Sequence, residues 1–166
     1  MPLTPTPSQT VGPFFGFALP FAGGEASLPA GAEGAVRIEG QLLDGAGQPV
    51  PDGLVEVWHA GEFARCRTDP EGVFHFRVRK PTAAAGPNGL RQAPHLEVTV
   101  FARGLLRQVV TRMYFPDEEP ANAADPVLAL VEPEARRRTL VARADGGVLR
   151  WDVRLQGEDE TVFFAI

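Results

Sequence analysis

The stretch "APHLEVTVFARG", residues 93–104, decides the fold. Leu96, Val98, Val100 and Ala102 fall on one face of it, and His95, Glu97, Thr99 and Arg103 on the other. That period of two is the mark of a half-buried β-strand. The same polar face sets two potential metal ligands, His95 and Glu97, one pleat repeat apart. One imidazole and one carboxylate leave a transition metal largely to water, so the pair alone specifies no metal centre.

Outward from this strand, the chain reads as strand, turn, strand. "AVRIEGQLLD" alternates Val36, Ile38, Gly40 and Leu42, and "LVEVWHA" gives a strand over Leu54 to Trp58. "TDPEG" puts Pro70 at the second position of a type I turn closed by Gly72, which predicts a hairpin between "EFARCRT" and "VFHFRVR". "KPTAAAGPNG" is a long loop. "LLRQVVTRMYF", "PVLALV" and "ETVFFAI" are expected as strands, and "RRTLVARADGGVLRWDVRLQG" as a hairpin turning at "ADGG". Roughly eight to ten short strands separated by turn signals predict an all-β fold, a β-sandwich or barrel. Gly 18 and Pro 16, spread over many intervals, agree with numerous turns.

The amino-terminal region reads differently. Four prolines within residues 1–13 remove donors and disfavour helix, so an extended arm is expected. "FFGFALPFAGG" then brings Phe14, Phe15, Phe17 and Phe21, an apolar cluster expected to dock on the core or on another chain. Residues 22–34 read as a loop. The division predicted is an arm and loop over 1–34 and a sandwich over 35–166.

With 166 residues, one domain with its own core is expected. A net charge of -5 gives no electrostatic reason to bind nucleic acid or an anionic membrane. The basic run Arg136 to Arg138 reads as the solvated start of a strand. Cys66 has no partner for an intrachain disulfide and reads as a small buried hydrophobe. The first residues have neither a basic region nor an apolar run, and no window reaches the ~18 apolar residues of a membrane span, so a cytoplasmic protein is expected.

Chemistry is sparse. Three histidines are present. His75 is expected to point outward from a strand whose Phe74, Phe76 and Val78 point inward, and His59 to be exposed at a strand end. A ferrous triad from His95, Glu97 and either His59 or His75 is possible on composition, but no spacing supports it. There is no phosphate loop, no pair of cysteines and no nucleophile elbow.

"TPSQTVGPFF", "LVEVWHA", "TDPEGVFHFRVRKP", "APHLEVTVFARG", "TRMYFPDE" and "LQGEDETVFFAI", in that order over nearly the whole chain, resemble the intradiol ring-cleavage dioxygenases, and among them the alpha-type chains. The resemblance implies a β-sandwich whose long termini embrace a second subunit. In these assemblies the catalytic beta subunit holds a non-haem Fe(III) with two tyrosines and two histidines. Here Tyr114 is the only tyrosine and lies after the His95 strand. The segment from Trp58 to Asp69 offers Phe63, the loop "PTAAAGPNG" offers no phenol, and the family's His-x-His stands as His95-x-Glu97. The implied iron is therefore a partner's and not this chain's, with no metal ligand and no cofactor-binding residue expected here.

The alpha pattern is retained elsewhere. The resemblance implies that Thr10, Gly12 and Pro13 of "QTVGP" and Arg103 of "FARG" border a pocket around the beta subunit's iron, with Arg103 both catalytic and substrate-binding. Arg103 would bring a permanent positive charge to an anionic aromatic acid or its product. Gly12 would let backbone approach closely, Pro13 would stiffen the arm, and Thr10 would offer a hydroxyl. The expected partners are a beta subunit, a small aromatic acid and O2, the reaction being cleavage of protocatechuate to 3-carboxy-cis,cis-muconate. The pattern departs from the family in its compact loops after Ala22 and Trp58. The alternative is a non-catalytic transthyretin-like binding module; for Arg103 it is an ordinary surface ion pair.

Overall fold

A computed structural model describes residues 9, 10, 12, 14–86 and 89–165. Among these residues the strands in chain order are β1 (Ala35–Leu43), β2 (Leu54–His59), β3 (Glu62–Arg67), β4 (Val73–Arg79), β5 (Ala84–Ala85), β6 (Arg91–Gln92), β7 (His95–Phe101), β8 (Val109–Tyr114), β9 (Arg143–Asp145), β10 (Val148–Arg150) and β11 (Val153–Arg154). β3, β2, β7 and β8 form one antiparallel sheet in that order. In the other, β1 is flanked by antiparallel β4 on one side and by parallel β10 and β11 on the other, with β9 outermost beside β10. The two sheets make the expected β-sandwich.

The core lies between them because alternation in each strand sends one row inward. Leu96, Val98 and Val100 of β7 meet Phe74, Phe76 and Val78 of β4, together with Ile38 and Leu42 of β1. All eight are buried. Cys66 is buried among them as expected. Gly40 occupies an inward position because a Cβ there would fall 1.7 Å from the Trp151 carbonyl oxygen. The break between β10 and β11 at Trp151 and Asp152 is thereby seated on β1, where the Trp151 N–H donates to Glu39 O and Asp152 Oδ1 accepts from the Gln41 N–H.

Several expectations are corrected. The "TDPEG" turn forms, with the Gly72 N–H donating to Asp69 O and Gly72 at φ 73°. It is not a hairpin, because β3 and β4 enter different sheets and the turn carries the chain across the core. "PVLALV" contains a 3-10 turn at Leu128–Leu130, and Arg136 to Arg138 lie in a 3-10 helix, Glu134–Leu140, rather than at a strand. Among its described residues, "ETVFFAI" forms only a bridge, Phe164 to Val110. A short apolar run satisfies either conformation, and these segments cover the β8 edge, whose Tyr114 also bridges Val141. The "ADGG" hairpin joins β9 to β10 as expected.

Phe14 to Phe21 includes one helical turn, α1 (Phe15–Ala18), where no regular element was expected. Of its four aromatics only Phe15 is buried, stacked on Phe101. Residues 24–27 are more than a loop: Gly24 O accepts from Arg65 of β3, Glu25 O accepts from Arg77 of β4, and Ser27 N–H donates back to Arg77 O. They stitch the edges of the two sheets together. Among the described residues, no helix is long and apolar enough to cross a membrane.

Candidate functional site

Two places on the sandwich bear on function, at opposite ends of β7. At its amino-terminal end a cleft of about 530 Å³ gathers Trp58, His59, Thr82, Ala84, His95 and Glu97 among its walls. It unites the three segments where the resemblance places iron ligands in catalytic relatives. The donors found there are one imidazole and one carboxylate on β7, with His59 beside them, and they do not make the family's set of two tyrosines and two histidines. His95 is only 8% exposed despite its place on the polar face, and its Nδ1 lies 2.8 Å from Ala93 O. Burial pushes its pKa below the ordinary value, so the ring is held neutral. Glu97 lies 3.5 Å from Arg112.

Tyr114 stands opposite His95 in the β7–β8 register, fully buried, with its hydroxyl donating to Asp125 at 3.3 Å. Desolvation pushes its pKa up to about 12, which opposes the phenolate that a ferric ligand requires. Phe63 packs against Trp58 with the rings tilted at 46° and their centroids 4.3 Å apart. His75 is exposed on β4, in the other sheet, and His59 is half-buried rather than freely exposed. Among the described residues no group of three or more His, Cys, Asp or Glu side chains is placed to hold a metal ion. These residues do not fit the family's iron.

Arg103 lies beyond the other end of β7, eight residues from His95, or about 26 Å at the rise of an extended chain. Its Nε pairs with Asp52 Oδ2 at 2.7 Å while 70% of the side chain stays exposed. The arm arrives at this same end. A Cβ at Gly16 would lie 4.0 Å from Asp52 O, and Phe15 stacks on Phe101 with ring centroids 6.0 Å apart. Thr10 is exposed, Gly12 is half-buried at φ 73°, and the Gly12 N–H donates to Thr10 Oγ1 at 3.2 Å. Pro13 lies outside the described residues. Asp52 thus pairs with Arg103, and its backbone lies beside Gly16 of the helical turn.

The sequence did not reveal one buried ion pair. Glu56 of β2 and Arg65 of β3 face each other across a two-residue hairpin turn, with Nε and Nη2 of Arg65 at 2.8 and 2.5 Å from Glu56 Oε1. Ala60 and Gly61 both have positive φ, as a type I′ turn demands. Recognising "HAGE" as that turn would have put the two charges opposite each other.

The fold is that of the intradiol ring-cleaving dioxygenases. The dioxygenase domain of a carbohydrate-binding fusion protein from Streptomyces sp. SirexAA-E superposes with a TM-score of 0.60 at 22% identity, over 80% of this chain and 87% of that one. No family profile matches the chain. Curated relatives are more specific. The protocatechuate 3,4-dioxygenase alpha chain of Burkholderia cepacia is 41% identical over 99% of this chain and 98% of its own length, and that of Pseudomonas putida is 38% identical over 98% and 96%. The beta chain from Burkholderia cepacia is 33% identical over 76% of this chain. The chain belongs to the protocatechuate 3,4-dioxygenase alpha-chain family. The first alignment extends over 206 positions against 166 residues here, so that relative carries insertions absent from this compact chain.

Proposed function

We propose that this chain is the alpha subunit of a protocatechuate 3,4-dioxygenase and completes, with an iron-holding beta subunit, the site where O2 cleaves protocatechuate to 3-carboxy-cis,cis-muconate. The observation that carries the reading is the 41% identity to an alpha chain over essentially both full lengths. The donor set around His95, with glutamate where the family has its second histidine and one buried tyrosine whose pKa is raised, supports the assignment of Fe(III) to the beta subunit rather than to this chain.

In this reading Arg103 supplies a permanent cation that attracts the substrate carboxylate and the charge of the ring-opened acid. Such a cation gains strength where an interface excludes water. Thr10, Gly12 and Pro13 close the pocket from the arm side. Phe14 and Phe17, 68% and 65% exposed, are apolar surface of the kind an obligate interface covers. Residues 1–34 act as the docking arm and 35–166 as the sandwich that carries Arg103.

Co-expression with a beta subunit tests the reading. Ring cleavage by the equimolar complex, with none by the alpha chain alone, is the expected result. A lone chain that stays monomeric beside the beta subunit and leaves its activity unchanged would instead point to a transthyretin-like binding module.

A further inference from the structure

We propose that Arg65 is a positioning residue for the reaction, which sets the path of the amino-terminal arm toward the shared site. The inference rests on the reading above that Thr10 and Gly12 enter that site. Arg65 stands on the outer face of the β3–β2–β7–β8 sheet, where cross-strand charges ordinarily meet water. Here the arm lies over it. Nη1 donates to Leu19 O at 2.7 Å, the guanidinium carbon sits 4.9 Å from the Phe63 ring centroid and 5.9 Å from that of Phe21, and the backbone N–H donates to Gly24 O at 2.7 Å. One residue therefore grips the arm at Leu19, Phe21 and Gly24.

Leu19 is the carboxy-terminal cap of α1, and its carbonyl has no helical donor. The arginine supplies one. With Phe15 fixed on Phe101 at the start of the turn and Leu19 fixed by Arg65 at its end, the direction of α1 is set at two points. On the reading above, that direction is what aims the arm at the shared site. Glu56 has the matching task. Its carboxylate, largely covered, holds Nε and Nη2, so that Nη1 is left pointing at the arm. A lysine would keep the charge but lose the planar fork that serves both partners at once.

The test uses the alpha–beta complex. Breaking a buried pair from one side is strongly destabilising, so the main variant changes both partners, Arg65→Met with Glu56→Gln. Expected are unchanged subunit ratio and iron content, a rise in KM for protocatechuate of about fivefold or more, and little change in kcat, the pattern of lost uniform binding. Arg65→Lys should fall between this variant and the native complex. Thr10→Ala separates the inference from the reading beneath it. If Thr10→Ala raises KM and the double variant adds nothing further in that background, Arg65 acts through the arm. If Thr10→Ala raises KM while the Arg65 variants leave it unchanged, or add to it independently, the positioning role is overturned and the reading of the site survives. If neither changes KM, the arm does not reach the site and both fail. Should the double variant not assemble, Arg65→Lys, which keeps Glu56 paired, decides by the same KM.

Discussion

Arg103 and Asp52 form an ion pair at the arm's end of the sandwich, Nε to Oδ2 at 2.7 Å, with the arginine still 70% exposed. An exposed pair of this kind contributes about 0–1 kcal/mol, so the guanidinium can leave Asp52 for a substrate carboxylate at little cost. The surface ion pair expected as the plain alternative is thus present in the lone chain, and it does not compete with a role in the complex.

Arg103→Ala should leave assembly and iron content intact and lower kcat/KM for protocatechuate on the order of 10- to 100-fold, about 1.4–2.8 kcal/mol of transition-state stabilisation. Asp52→Asn, which frees the same guanidinium, should shift the unfolding free energy by no more than about 1 kcal/mol. Steady-state kinetics of the complex and denaturant unfolding of the variant measure the two effects. Unaltered turnover in Arg103→Ala would make the residue surface only.

Tyr114 is the only tyrosine, so its ionisation can be followed by phenolate absorbance in the whole chain. The absorbance should rise near pH 12 rather than near the ordinary 10. Because the folded pKa is raised for a group that ionises by losing its proton, the folded state binds the proton more tightly. Stability contributed by Tyr114 is therefore present below 10 and lost as pH climbs toward 12. Tyr114→Phe should remove that loss and cost about 1 kcal/mol at neutral pH for the bond to Asp125.

His95 runs in the opposite sense. Its folded pKa lies below 6.5 because burial disfavours the imidazolium, so the unfolded chain takes up the proton first. The stability linked to the neutral ring is complete above 6.5 and declines as pH falls below that value toward the folded pKa. His95→Gln should flatten the fall in denaturation midpoint between about pH 7.5 and 5. A residual slope is expected from His59, whose pKa is lowered in the same direction by burial.

Gly40→Ala should be among the most damaging single changes in the sandwich, since a methyl group would meet the Trp151 carbonyl at 1.7 Å and the Phe74 ring at 2.8 Å. The carbonyl is backbone and cannot yield without shifting the Trp151 link between β10 and β11 where it is seated on β1. A loss of about 3 kcal/mol or more, read by thermal or denaturant unfolding, is expected from overpacking on backbone.

The sandwich was legible because alternation is a local property: Leu96, Val98 and Val100 point inward wherever β7 is placed, and the core requires only that. Turn chemistry was legible in the same way, down to Gly72 closing on Asp69. Which sheet β3 and β4 join was not, since "TDPEG" fixes a reversal of direction and not the neighbours beyond it. Segments 128–130 and 134–140 were misread because their apolar residues need cover the β8 edge only intermittently, and no period distinguishes that from a strand. The burial of His95 and of the Glu56–Arg65 pair was hidden for a different reason. Both lie on an outer face, and what covers them comes from segments distant along the chain. Resemblance supplied Thr10, Gly12 and Arg103, while the ends of β7 explain why the cleft at His95 and the surface at Arg103 are separate places.

Iron content and visible absorbance, measured on the purified alpha chain and on its complex with a beta subunit, test the division of labour most directly. The lone chain should be colourless and free of stoichiometric iron, and the complex should carry about one iron per alpha–beta pair with a tyrosinate-to-iron band and ring-cleaving activity. Stoichiometric iron in the lone chain, lost on His95→Ala, would contradict the account.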